Sequence, residues 1–365
     1  MTAKFGIEAL RAFAVARSFF PATTLEAAIR ALGFVQLDPI RAPARAQDLI
    51  LRHRVEDYRN GDLESRYPDL PVIEDYVHVY GVIPREARRL LHPRSAARRF
   101  HVESEHPRLP PQILAHIRRH GATHPRDLQR AFGKERTVNG WGGQSAATTR
   151  VLALLHYRGK LRVARRVNGV RVYDLEPAND GVMSPAARAT GLVRLLLRLY
   201  APLDEVALKS LAARIDAASI AEAARAAAIA RVLRSDWVAS ATVDDERYFW
   251  PADESTPCEP PDGLRLLAPF DPLVWDRRRF ERLWGWAYRF EAYTPAARRR
   301  FGYYALPLLW RAAVVGWANV AVKSGKLDVQ LGFAHKRPRE AAFRRELDAE
   351  LARFAAFLGL GARAD

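Results

Sequence analysis

A Val167-Asn168-Gly169-Val170 step sits between two β-prone runs, Lys160-Leu161-Arg162-Val163 and Arg171-Val172-Tyr173, and constrains the fold more than any other stretch. Asn-Gly is favoured where two adjacent turn residues both take positive φ, so the segment predicts a tight β-hairpin. Three helical patterns precede it, over residues 111–120, 125–132 and 145–157, the last with Ser145 placed to cap its N-terminus. Three helices followed by a hairpin is the winged helix–turn–helix plan. A similar order recurs further on. Helices fit 187–199, 203–214 and 219–233, followed by strands over 237–242 and 248–250 around an acidic Asp244-Asp245-Glu246 turn. The expected fold is α+β and mostly helical, with tandem winged helix–turn–helix units and a β-rich C-terminal part.

Four regions divide the chain. Residues 1–107 form an N-terminal winged-helix-like region, with helical patterns over 5–19, 23–31 and 43–54. Residues 108–178 carry the winged helix with the basic wing, and 179–258 a third winged-helix-like unit. Residues 259–365 are β-rich and aromatic, with a final helix over 338–357. The Pro-rich stretch 255–263 is a linker or an ordered crossing loop. At 365 residues the chain is long enough for two or three domains and needs no covalent staple. Its single cysteine, Cys258, excludes an internal disulfide, a cysteine zinc site and an iron–sulfur cluster. The N-terminus has no uninterrupted apolar core of the kind a signal peptide needs. The most apolar stretch, 303–322, is broken by Pro307, Arg311 and Asn319 and fits a buried sheet, not a membrane span. A cytoplasmic protein with no membrane partner is expected.

Lys plus Arg number 58 against 41 Asp plus Glu, a formal charge of +17. Such a balance draws phosphate backbones, acidic lipids or acidic proteins. Only seven of the cations are lysines, and an Arg- and Ala-rich bias can come from a GC-rich genome alone, so placement has to decide. The wing holds Lys160, Arg162, Arg165, Arg166 and Arg171. Simple alternation puts Lys160, Arg162 and Arg166 on one face, away from Leu161, Val163 and Val167. That face suits phosphates or a groove, and equally an ordinary solvated hairpin; Arg150 on the preceding helix tilts the balance toward DNA. The aromatic block from Phe270 to Trp310 fits a core, with stacking on a flipped base as the other use of such rings.

No GxGxxG, Walker loop, HExxH or GxSxG is present. His101 and His106 flank two glutamates, but their spacing suits no standard metal site. The chemically informative stretch is Gly33-Phe34-Val35-Gln36-Leu37-Asp38-Pro39. A residue before proline is driven into an extended conformation, and extended side chains two apart share a face. Val35 and Leu37 then point inward, leaving Gln36 and Asp38 side by side. An amide and a carboxylate so placed can hold and polarise one water. Asp38 can equally cap a helix starting at Pro39.

Three motif sets carry a resemblance. The first is Val35-Gln36-Leu37-Asp38, followed by Arg45, Asp48-Leu49-Ile50-Leu51 and Arg54. The second is Asp75-Tyr76-Val77-His78. The third runs Ala268-Pro269-Phe270-Asp271-Pro272-Leu273-Val274-Trp275-Asp276-Arg277, then Tyr288, Tyr293-Thr294-Pro295-Ala296, Arg299, and Phe301-Gly302-Tyr303-Tyr304 through Leu306-Pro307-Leu308-Leu309. With these the chain resembles the AlkZ/YcaQ family of winged-helix DNA glycosylases over nearly its whole length, and the YcaQ branch more closely. The resemblance implies a monofunctional glycosylase that excises N-alkylated purines such as N7-alkylguanine from double-stranded DNA and unhooks interstrand crosslinks. It implies Gln36 and Asp38 as the catalytic pair and Arg45 and His78 lining the site. Arg150, Lys160, Arg162, Arg166 and Arg171 are the expected DNA contacts. No metal and no organic cofactor is implied, and a nucleoid-associated monomer is expected. Departures fall at Gly316-Trp317-Ala318-Asn319, at Gln47 and at Arg52-His53-Arg54-Val55. The alternative is a non-catalytic winged-helix protein, a transcription regulator or repair accessory, which would have no use for the Gln36–Asp38 pair.

Overall fold

The computed structural model describes residues 6–95, 100–138, 143–177, 181, 183–254 and 259–361. Cys258 and part of the 255–263 segment lie outside the described residues. The fold is α+β and predominantly helical. Two units, each discontinuous in sequence, make it up. One comprises Met1–Asp62, Val193–Ala212 and Ile229–Asp365; the other comprises Leu63–Leu192 and Ala213–Ala228. The four consecutive regions drawn from the sequence are a different kind of division and stand as a proposal.

In the second unit the helices Leu109–His120, Pro125–Phe132 and Ala147–Tyr157 precede the antiparallel hairpin Leu161–Val167/Val170–Leu175. Their apolar stripes, including Ile113, Ile117, Leu128, Val151, Leu152 and Leu155, supply the core at helical spacing. A bridge between Thr123 and Tyr173 adds a short third strand position after the first helix. The order is helix, bridge, helix, a short strand pair, helix and hairpin, consistent with the expected winged-helix plan. At the turn Asn168 and Gly169 have φ of 51° and 80°, as their residue types favour.

Two details differ from expectation. Ser145 does not cap a helix: it lies in a short strand, Gln144–Ala146, opposite Thr137 of Arg136–Val138, and the helix begins at Ala147. The wing also breaks its alternation. Its register shifts between Val163 and Arg165, so Ala164 is an extra residue and the faces exchange beyond it. Val167 ends up 42% exposed while the Arg166 side chain turns inward.

In the first unit, Leu203–Asp204 and Val238–Val243 flank Glu246–Pro251 in an antiparallel sheet. The residues 203–214, read as one helix, split because Asp204 turns the chain: its carboxylate accepts from Ala207 N at 2.7 Å, capping the helix Glu205–Ala212. The C-terminal sheet runs Leu264–Leu266, Leu306–Trp310, Ala313–Lys323, Lys326–Phe333, every pair antiparallel. In Ala313–Lys323 the residues Val314, Gly316, Ala318 and Val320 face the core, so Trp317 and Asn319 share the opposite face. The β-prone reading of this region missed two helices, Pro272–Trp275 and Arg277–Trp284. Asp271 and Asp276 cap them through Leu273 N and Arg279 N, both at 3.0 Å. The helix Ala341–Phe357 packs on Leu264–Leu266 and carries Glu350, which pairs with Arg52. Among the described residues no helix is long and apolar enough to cross a membrane.

Candidate active site

Val35–Gln36 is a two-residue strand, and no helix starts at Pro39. The next helix, Ala46–Leu51, begins after Arg45, so Asp38 is no helix cap. Its Oδ1 instead accepts from Ile40 N at 2.9 Å, a local turn that fixes the carboxylate. Buried Gln47 backs the same residue, its Oε1 accepting from Asp38 N at 3.3 Å. Asp38 is half-buried, and burial raises its pKa above the ordinary carboxylate value, offset in part by the Ile40 N–H. Val35 is buried as expected; Leu37 is half-buried.

The Gln36 amide is oriented from across the unit. Trp275 Nε1 donates to Gln36 Oε1 at 2.7 Å. With its oxygen occupied in this way, the amide offers its two N–H donors to whatever sits beside it. Trp275 is in turn placed by the 269–277 segment. Arg54, fully buried, grips Asp271 with both arms at 2.8 and 3.1 Å and also donates to Ser18 O and Ile50 O, each at 2.8 Å. A bidentate Arg–carboxylate pair is the most geometrically demanding ion pair available. It ties the end of the helix that follows Asp38 to the segment that holds Gln36. The motif residues Arg54 and Asp271 are therefore structural supports.

Most of the aromatic block is core, as expected: Trp284, Trp286, Tyr288, Phe301 and Tyr304 are buried. Tyr293 and Tyr303 are the exceptions, 82% and 44% exposed. Tyr303 and Tyr304 follow a sharp corner at Gly302, whose φ is 116°. They line a cleft of about 660 Å³ together with Arg41, Pro43, Asn319 and Gln330. Arg41 and Pro43 bring the chain just beyond Asp38 to this cleft, and the Asp38 charge acts on Tyr304. Trp275 and Tyr304 were not singled out individually from the sequence, and Gln47 was named only as a departure from the family pattern. Only the motif runs around them carried a signal.

A family model for AlkZ-like DNA glycosylases matches residues 29–357. This chain belongs to the AlkZ-like DNA glycosylase family. The match takes in every element just described around Gln36 and Asp38. The fold is also similar to that of a solved structure, Streptomyces sahachiroi DNA glycosylase AlkZ, with a TM-score of 0.65 at 14% identity over 98% of each chain. At that identity the likeness speaks for the fold alone. Membership of an AlkZ-like glycosylase family makes the chain a DNA glycosylase and DNA its partner.

The remaining expected residues divide. Arg45, half-buried, occupies the N-cap position of the helix carrying Gln47. His78 lies in the second unit, at the bend between the strands Val72–Tyr76 and Tyr80–Pro84. Burial, with Arg214 nearby, pushes its pKa down to about 3, so its imidazole is neutral at physiological pH. Within the same element Asp75 is held by His92 Nε2 at 2.7 Å and Arg94 at 2.9 Å. Burial would raise the Asp75 pKa, but Arg94 and His92 overcome it and keep it well below the carboxylate range.

On the wing, Lys160 and Arg165 are exposed, Arg150 and Arg162 half-buried, and Arg162 reaches Asp174 at 3.3 Å. Arg166 and Arg171 are not part of that open face. Arg166 forks onto Glu74 with two bonds of 2.6 Å. Arg171 lies over the Tyr80 ring at 5.0 Å. The bulge at Ala164 is the physical reason: it rotates the end of the strand inward.

Proposed function

We propose that this glycosylase excises N7-alkylated purines by water attack at the sugar, with Asp38 as the base and electrostatic stabiliser and Gln36 as the residue that orients the water. The observation that carries it is the Trp275–Gln36 hydrogen bond, which leaves the amide donors free, two residues from Asp38 in the chain. A water that accepts from Gln36 Nε2 and donates to Asp38 keeps one lone pair for C1′. An N7-alkylated guanine carries a positive charge already. Its C1′–N9 bond breaks with the pair going to N9, which neutralises the base, so no general acid is needed. The sugar becomes oxocarbenium-like, water adds at C1′, and Asp38 takes the proton. At about 4 Å and an effective dielectric near 20, one carboxylate–cation pair is worth roughly 4 kcal/mol. At the transition state that is about a thousandfold in rate.

Crosslink unhooking belongs to the same proposal, since a crosslink at N7 leaves by the same bond cleavage. Lys160, Arg165, Arg162 and Arg150 are the proposed phosphate contacts. The test is Asp38→Asn, assayed for release of N7-methylguanine from duplex DNA with abasic sites cleaved by alkali. Base release is expected to fall about a thousandfold with DNA affinity nearly unchanged. Retention of more than about a tenth of the rate removes Asp38 from the chemistry.

A further inference from the structure

The Tyr304 hydroxyl is buried and has no hydrogen-bond partner among the described residues, in a protein whose neighbouring phenol is satisfied. Tyr288, packed in the same cluster, donates to Ala305 O at 2.7 Å. Buried hydroxyls left without a partner are costly, and each asks for an explanation. Arg41 and Pro43, three and five residues beyond Asp38, line the cleft with Tyr304, and the charges that act on its hydroxyl are those of Asp38, Tyr288, Arg277 and Tyr303. Arg277 is committed elsewhere, donating to Val274 O and to Pro269 O. Asp38 is the one carboxylate among these groups. Nor is the corner that carries Tyr304 loose. Glu291, 5% exposed, accepts from the backbone N–H groups of Arg300, Phe301 and Gly302. Asn319 Nδ2 donates to Phe301 O at 2.7 Å, and a Cβ on Gly302 would stand 2.2 Å from Asn319 Oδ1. A carboxylate and an amide thus clamp one turn of three residues, with glycine the only residue that fits beneath the amide.

We propose that Tyr304 is a positioning residue for Asp38: its buried hydroxyl, aimed by the Glu291–Asn319 clamp on the Gly302 corner, donates to the Asp38 carboxylate while that carboxylate holds the attacking water. Asn319, one of the sequence departures, thereby belongs to the site's support. The inference rests on the reading of Asp38 as the catalytic base. A hydrogen bond given to a carboxylate favours its ionised form, so its loss disfavours that form. The experiment is the pH profile of N7-methylguanine release by wild type, Tyr304→Phe and Tyr288→Phe. Tyr304→Phe keeps the ring and its packing. Its rate at neutral pH is expected to fall about tenfold and its acid limb to move to higher pH by about one unit, as loss of one charge-assisted hydrogen bond requires. Tyr288→Phe, which loses a phenol bonded to backbone, should leave the acid limb in place. An unmoved acid limb in Tyr304→Phe, or equal shifts in both variants, overturns the proposal. If Asp38→Asn releases base at the wild-type rate, the underlying assignment of Asp38 fails instead, and the two failures are told apart.

Discussion

Asp38 keeps its carboxylate where burial disfavours charge, and that has two consequences of opposite sign. The pKa in the folded protein lies above the ordinary carboxylate value. In the proposed mechanism base release needs the anion, so activity should be lost as pH falls, beginning above the range in which a solvent-exposed aspartate titrates. A profile flat down to the exposed-carboxylate range would contradict it. Folding behaves the other way. A raised carboxyl pKa contributes stability below the unfolded value that is lost as pH rises through the folded one, so ionised Asp38 is a cost at neutral pH. Asp38→Asn, which can still accept from Ile40 N, should therefore be at least as stable as wild type in chemical denaturation while being inactive. Asp271 presents the contrary case. Its pair with Arg54 is wholly buried on both sides. Asp271→Asn strands a guanidinium in the core, and urea unfolding should show a loss of about 3–5 kcal/mol. A loss under about 1 kcal/mol would mean the pair is not the support described above.

At the scale of elements, the basic wing tests how far charge in a sequence predicts charge on a surface. Replacing Lys160 and Arg165 with alanine should weaken binding to all duplexes alike and flatten the log–log salt dependence by about 0.9 per lost phosphate contact. Replacing Arg166 should instead destabilise the second unit with little change in slope, because it leaves Glu74, 1% exposed, buried without its cation. Equal slopes for both sets would return the hairpin to a merely solvated role. The hairpin itself was legible because Asn168-Gly169 is a local rule. The bulge at Ala164 was not, because the inward turn of Arg166 that follows it is met by Glu74, 92 positions from Arg166 in sequence. The same contrast runs through the first unit. Local proline sterics predicted an extended segment from Val35 to Asp38, and the structure has a strand at Val35–Gln36. The Trp275 indole that orients Gln36 lies 239 positions on, and no periodicity connects the two. Pro272–Trp275 and Arg277–Trp284 went unseen for a different reason: they are only one and two turns long, and their Asp271 and Asp276 caps sit inside a run that looks β-prone.

For the whole molecule, the distribution of nucleophiles decides whether a glycosylase also cuts the strand. A lyase step needs an amine that forms a Schiff base with the opened sugar. Only seven lysines are present, none between Lys4 and Lys134, so the segment around Gln36 and Asp38 carries no amine of its own. The fold supplies one nearby that spacing did not reveal: Lys323, at the end of its strand, lines the same cleft as Tyr304. It is 71% exposed and paired with Asp328 at 2.5 Å. An exposed, ion-paired ammonium lacks the desolvation that makes a lysine nucleophilic. Among the described residues no group of three or more His, Cys, Asp or Glu is placed to hold a metal ion. The proposed route is hydrolysis by a water that Asp38 holds, and it makes two further predictions. Borohydride added during turnover on N7-methylguanine DNA should trap no covalent enzyme–DNA adduct, and chelation with EDTA should leave base release untouched. A trapped adduct that disappears in Lys323→Ala would move the nucleophile from water to that amine. Loss of activity with EDTA that zinc or magnesium restores would replace Asp38 as the activator of water.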